Sequence, residues 1–238
     1  MRAAANGLGL FVLLAGAGGC AGSTGSMDGL GGLGGAEGSG GAPIAAPEAC
    51  DVEPGPFAIA VLDHGFGSGQ DVGQGQFPEL VPGPPHGAGK TSGSTDQVVS
   101  LGDGGFVELS FGDYAIVNGP GPDFLVFENA FFAGGDPEQP WTEFGQVSVS
   151  QDGSTWTSFP CETEEYPYET CAGWHPVLAN SETNELDATD PEQAGGDPFD
   201  LAQLDLPWVR YVRIDDLVDE KELTFDLDAV AVVHPGCF

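Results

Sequence analysis

The chain has 238 residues and a formal net charge of −32, from 37 Asp and Glu against five Lys and Arg. That balance excludes a nucleic-acid binder, because no basic surface exists to displace counterions from phosphates, and it disfavours an anionic membrane as partner. It suits an exported protein that stays soluble by self-repulsion and lives among divalent cations, with most acids forming a solvated face and only a few placed as ligands.

The first residues carry an address. Arg2 gives a short basic region, residues 8–14 an apolar stretch, and Ala17-Gly18-Gly19-Cys20 a small-residue cleavage site, which together predict a secretory signal over 1–19 that is too short and Gly-rich for a membrane span. The site is similar to the lipobox of bacterial lipoproteins, although Ala17 stands where that pattern usually has leucine. The resemblance implies cleavage before Cys20, lipidation of its thiol, and attachment to the bacterial cell envelope, at the outer membrane or cell surface, through acyl chains. Residues 20–47 are dominated by Gly, Ser and Ala and cannot bury enough surface to offset their ordering entropy, so they read as a flexible tether. Residues 48–238 are then one domain of a size that builds its own core.

Four further cysteines, Cys50, Cys161, Cys171 and Cys237, are an even number in an exported chain and read as disulfides. Of three possible connectivities, the favoured one joins Cys161 to Cys171 across a local loop and Cys50 to Cys237 across the ends of the domain. On chain-entropy grounds these contribute about 2–3 and about 5 kcal/mol. Metal ligation is the weaker alternative, with no Cys-x-x-Cys pair and with His64, His86, His175 and His234 scattered.

Within the domain, residues 57–62 form an apolar run that predicts a first strand. A Gly/Pro/Gln passage to Thr95 follows, and its Gly87-Ala88-Gly89-Lys90-Thr91 is no phosphate loop, since Pro84 occupies the position where the motif needs glycine. Residues 98–101 predict a strand. After the turn at 102–105, Val107, Leu109 and Phe111 alternate with Glu108 and Ser110 as in a strand with one wet face. The stretch 118–132, NGPGPDFLVFENAFF, starts with a Gly/Pro turn, and its run Phe124-Leu125-Val126-Phe127 is apolar on both alternating faces, which predicts a central strand covered on both sides. Residues 146–150 alternate again, and Gln151-Asp152-Gly153-Ser154 predicts a hairpin turn into 155–159. No amphipathic helix of ordinary length appears, so the fold class is all-β.

Five stretches carry a more specific resemblance. VSVSQDGSTWTSFP (147–160) and RYVRI (210–214) are similar to recurring strands of discoidin-type, galactose-binding-like sandwiches. Together with GPGPDFLVFENAF, the GGDPFDL segment at 195–201 and FDLDAV at 225–230, they resemble a family of bacterial cell-surface proteins and lipoproteins of poorly defined function. The resemblance covers about residues 98–233 and implies a jelly-roll β-sandwich of the galactose-binding, carbohydrate-binding-module type. It also implies largely structural roles for Arg210 and Arg213, which three-residue spacing places on opposite faces of a strand.

Two candidate sites follow. The first lies in an insertion over 161–196, where Tyr166, Tyr168, Trp174 and His175 supply planar side chains with polar tips suited to sugar or peptide contact, or else cover a sheet edge and fill a satellite core. The second is a calcium site drawn from Asp123, Glu128, Asn129, Asp200, Asp226 and Asp228, because carboxylates two apart at a strand entrance point to one side and repel without a cation. The closing strand is also similar to that of calcium-containing carbohydrate-binding jelly rolls. The alternative has Asp226 capping a turn, Asp228 pairing with Arg210 or Arg213, and Glu128 and Asn129 bonding a loop. No nucleophile elbow, zinc-protease helix or reactive Cys–His pair is present, so the expectation is a binding module rather than an enzyme. Its expected partner is a glycan or other extracellular polymer, with a structural unit docking a protein, or a polysaccharide hydrolase, as the other readings.

Overall fold

Along the strand Tyr211–Asp216, Val212, Ile214 and Asp216 are buried while Tyr211, Arg213 and Asp215 face outward, the two-residue period of a half-wet sheet. A computed structural model of the chain describes residues 45–50, 57–69, 72–94, 96–218 and 223–238. The expected signal peptide, the lipidation residue Cys20 and the tether up to residue 44 lie outside the described residues. Among those described, sixteen short strands run from β1 (Glu48–Ala49) to β16 (Pro235–Cys237), and the helical turns are three short 3-10 segments. The fold is an all-β sandwich of antiparallel sheets.

One layer is a five-stranded sheet in the order β10 (Thr157–Ser158), β9 (Gly145–Ser150), β13 (Tyr211–Asp216), β4 (Phe106–Ser110) and β2 (Ala60–Gly65). Its register pairs Val212 with Leu109 and Val149, and Ile214 with Val107 and Val147, so all six apolar side chains point to one side. On the wet side Arg213 lies 3.9 Å over the Phe106 ring and bonds Glu108 and Asp215. Arg210 instead donates to the Gly112 carbonyl and sits over the Phe238 ring. Neither arginine is a partner of Asp228.

The opposing layer has β6 (Phe124–Phe127) between β11 (Asp197–Phe199) and β15 (Ala229–Val232), next to a sheet of β1, β16, β5 (Tyr114–Val117) and β12 (Trp208–Val209). β6 is buried throughout. Phe124 and Val126 join the main core, where Phe124 stacks on Phe199 at 5.1 Å and meets the edge of Phe159. Leu125 and Phe127 face the other way, against Val177, Ala179, Ala188 and Ala194.

The insertion is therefore two different things. Residues 177–194 form the lid on the outer face of β6, closed on itself by Leu178 and Ala179 N–H donating to Ala194 O and tied to the neighbouring segment by Gly87 and Gly89 N–H donating to Ala179 O and Val177 O and by the Asn180 side chain bonding the Gly87 carbonyl. Residues 161–175 instead form a loop closed by the Cys161–Cys171 disulfide. Gly196 has φ +73°, and a Cβ there would meet Phe127 Cδ1 at 2.5 Å, so lid and strand approach closely only because that residue is glycine.

The second disulfide joins Cys50 to Cys237 across a separation of 187 residues, alongside the pairing of β1 with β16. Constraining so long a loop removes unfolded-state entropy worth about 5 kcal/mol. Replacing both cysteines by serine is expected to lower stability by that order in chemical denaturation, with a much smaller loss for the Cys161/Cys171 pair; equal losses would contradict the loop-length argument.

Candidate functional site

Three carboxylates at the ends of the central strands, those of Asp123, Asp197 and Asp228, are buried, and each accepts at least one backbone N–H and has a histidine beside it. Asp123, fully buried, accepts from Gly119 and Leu201 N–H at 2.7 Å and from His234 Nδ1 at 2.8 Å. Asp197 accepts from Gly173, Trp174 and His175 N–H and from His175 Nδ1 at 2.9 Å. Asp228 takes the His86 N–H on both oxygens, with the His86 ring 3.8 Å away. Burial raises the pKa of Asp197 and Asp228 against these bonds, and the Asp228 carboxylate in turn raises that of His86.

These contacts divide the six residues proposed for calcium. Asp123 belongs to the His234 corner. Asp200 caps the 3-10 turn Leu201–Leu204, accepting from Ala202 N–H at 2.8 Å. Glu128, Asn129 and Asp226 do come together: Asn129 Nδ2 donates to Asp226 Oδ2 at 3.4 Å, Asp226 N–H approaches Glu128 Oε1 at 3.4 Å, and Ser100 Oγ bonds Asp226 Oδ1. Asp228 faces Glu128 and Asn129 across a crevice too narrow for a water-sized guest, also lined by Gly87, Ala88 and Ser94. Asp226 and Asp228 do not share a side, because the first begins β14 (Asp226–Leu227), paired with β3 (Val99–Ser100), and the second lies in the link to β15.

Glu128 is the unusual member. It is 1% exposed, and its Oε2 has no hydrogen-bond partner among the described residues. Burial first, then the charges of Glu143 and Asp226, push its pKa well above the ordinary carboxylate range. Asp216, 3% exposed, is pushed up to about 7 by burial, with Asp103, Glu143 and Asp226 adding to the shift and the Phe225 N–H bond opposing it. Among the described residues no group of three or more His, Cys, Asp or Glu is spaced to hold a metal ion.

The four aromatic candidates converge. Tyr166, Tyr168 and Trp174 meet edge-to-face in all three pairs at 5.7–5.9 Å, and Trp174 packs on His175 at 3.5 Å between ring centroids. Trp174 is buried and Tyr166 is 49% exposed, so the cluster has a fixed base and a solvent-facing tip. Beside it opens a cleft of about 370 Å³ lined by Pro167, Glu169, Thr170, Cys171, Trp174, His175, Pro198 and Gln203. The cleft's position follows from the chain: the disulfide closes the loop, and Asp197 on β11 clamps Gly173, Trp174 and His175 through their N–H groups. Thr170, on its edge, holds φ +65°, rare for a β-branched residue, with its hydroxyl bonding the Pro160 carbonyl.

Sequence reasoning passed over two parts of this region. Glu169, Thr170 and Gln203 line the cleft without any motif to mark them. Glu143 is tied to the loop by its N–H bond to Gly173 O, a contact between segments thirty residues apart that periodicity has no means of showing.

No protein-family model matches the chain, including any for the surface lipoproteins it resembles, and no curated protein matches it. Among solved structures, a pectin-binding carbohydrate-binding module is similar at 15% identity and a TM-score of 0.35, over 74% of this chain and 91% of that one. No residue of this chain is assigned a role from it.

The raised carboxyls set a pH dependence. A carboxyl whose pKa is about 3.9 unfolded and about 7 folded keeps its proton in the folded state, so stability falls as pH rises from the first value to the second. The melting temperature is expected to fall between pH 4.5 and 7, and Asp216→Asn, which keeps an acceptor for Phe225 N–H, should flatten that slope. An unchanged slope would show that Asp216 ionises normally.

Proposed function

We propose that this protein is a glycan-binding module, exported and lipid-anchored at a bacterial cell envelope, with the cleft beside Trp174 as its contact surface. The observation that carries the reading is the cluster of Tyr166, Tyr168, Trp174 and His175, two of whose members, Trp174 and His175, line the cleft. Sugars present apolar C–H faces and a rim of hydroxyls, and a site for them needs flat aromatic surface beside fixed donors and acceptors. Tyr166 supplies the exposed ring, while Glu169, Thr170, Gln203 and the His175 edge supply polar groups. Pinning the loop by a disulfide and by the Asp197 clamp lowers the entropy lost on binding. Binding rather than hydrolysis is favoured because Glu128, an acid whose pKa burial raises, is 1% exposed and out of reach of a sugar at the surface.

A calcium ion fits this reading as a structural part. Glu128, Asp226 and the Asn129 amide are the side chains that would hold it, and the solitary buried Glu128 Oε2 is the feature that suits a cation. Bound there, the ion would neutralise the repelling carboxylates.

Isothermal titration against a glycan panel tests the main reading. Binding is expected, and Tyr166→Ala should weaken it by about tenfold without altering the melting temperature; a protein that binds no glycan on the panel refutes the proposal. For calcium, about 1 mM of the ion should raise the melting temperature of the wild type and leave Glu128→Gln unmoved. No shift in the wild type would mean that Glu128 is simply a neutral acid.

A further inference from the structure

We infer that Trp141 is a second aromatic platform on the same rim, and that the ligand is therefore an extended, uncharged polysaccharide chain rather than a single terminal sugar. The inference rests on the glycan-binding reading.

Trp141 sits in β8 (Pro140–Trp141), paired with β7 (Phe131–Phe132) so that Phe131 is opposite Trp141. It is 44% exposed. The two rings stack at 5.8 Å with planes 9° apart, so Phe131 backs one face of the indole. Its Nε1 donates to Glu143 Oε1 at 3.0 Å, which fixes the ring about its own axis. An exposed tryptophan held at two points is a preorganised flat surface, and little side-chain entropy remains to be lost when a sugar ring settles on it.

The platform and the cleft belong to one rim. Two residues beyond Trp141, Glu143 N–H donates to Gly173 O at 3.1 Å, and the next residue, Phe144, meets Tyr168 edge-on at 4.8 Å. Gly173 has φ +92°, and a Cβ there would lie 2.0 Å from Glu143 O, so the two segments touch backbone to backbone. Two extended residues cover about 7 Å along the chain and one hydrogen-bonded crossing about 5 Å at right angles to it, which places Trp141 about 9 Å from the Trp174 loop. That span exceeds one pyranose ring and suits several linked sugars.

Charge narrows the ligand further. Glu143 bonds the edge of the Trp141 indole and Glu169 lines the cleft. Arg213 and Arg210 are occupied elsewhere, with Glu108 and Asp215 and over Phe238. Lys90, whose carbonyl accepts from Phe132 N–H, borders the Trp141 end. With an overall charge of −32, a polyuronate would meet like charge along the rim, whereas a neutral chain would not.

The test titrates purified protein with neutral β-1,4-linked gluco-, manno- and galacto-oligosaccharides, from monosaccharide to hexasaccharide, and with polygalacturonate. Affinity is expected to rise with length, and Trp141→Ala to remove that gain, weakening hexasaccharide binding about tenfold, while Trp141→Phe keeps most of it. Circular dichroism checks that both variants fold. Wild-type binding that is equally tight in Trp141→Ala overturns this inference and leaves the glycan reading standing. Absence of wild-type binding across the panel overturns both. Polygalacturonate bound more tightly than any neutral chain overturns the charge selection.

Discussion

Strand β6 must be covered on both faces, and much of the molecule is arranged to do so. Four consecutive apolar residues cannot leave either face in water without exposing two large side chains, each worth about 2–3 kcal/mol on burial. Phe124 and Val126 are covered by the five-stranded layer, and Leu125 and Phe127 by the lid formed from residues 177–194. The insertion is thus a structural necessity in its second half, and only its first half is available for contact with a ligand. The alanines that dominate the lid cluster, at 179, 188, 194, 229 and 231, let two backbones approach without a thick second core.

Burying that strand also buries the acids at its ends. A protein with 37 carboxylates can solvate most of them, but Asp123, Asp197 and Asp228 lie inside. Each accepts at least one backbone N–H from a loop and has a partly exposed histidine beside it. These carboxylates work as clamps: Asp123 holds the 118–122 corner against Leu201, Asp197 holds the 173–175 loop, and Asp228 holds His86. Glu128 departs from the scheme, having one oxygen with no partner among the described residues and acids for neighbours. Burying an acid in that setting is costly unless it is protonated or meets a cation.

The clamps connect the fold to the surface proposed for glycan contact. Asp197 comes from β11, the neighbour of β6, and its carboxylate fixes the loop whose aromatic residues edge the cleft. Glu143 performs a similar service on the other side, bonding Gly173 through its N–H and the Trp141 indole through its carboxylate. The rim is consequently stiff although it consists of loops, and stiffness is what a small, shallow site requires to bind a flexible sugar chain.

The sequence by itself determined what depends on local period and chemistry. Alternation at 107–111, the unbroken apolar run at 124–127, and the Asp152-Gly153 turn, where Asp152 accepts from Ser154 and Thr155 N–H, are present as read, whereas the strand at 146–150 buries Ser148 and Ser150 as well as Val147 and Val149. The structure also holds the favoured pairing of Cys161 with Cys171 and of Cys50 with Cys237, one of the three connectivities that the sequence allowed. Only the tertiary structure decided where polar side chains from distant segments meet. Asp226 and Asp228 look equivalent in FDLDAV, yet one faces Ser100 and Asn129 and the other His86, because the chain passes from one small sheet to another between them. Trp141 carries no motif, and its meaning comes from Phe131 behind it and Gly173 beside it, contacts that the sheet register and a left-handed glycine set across the fold.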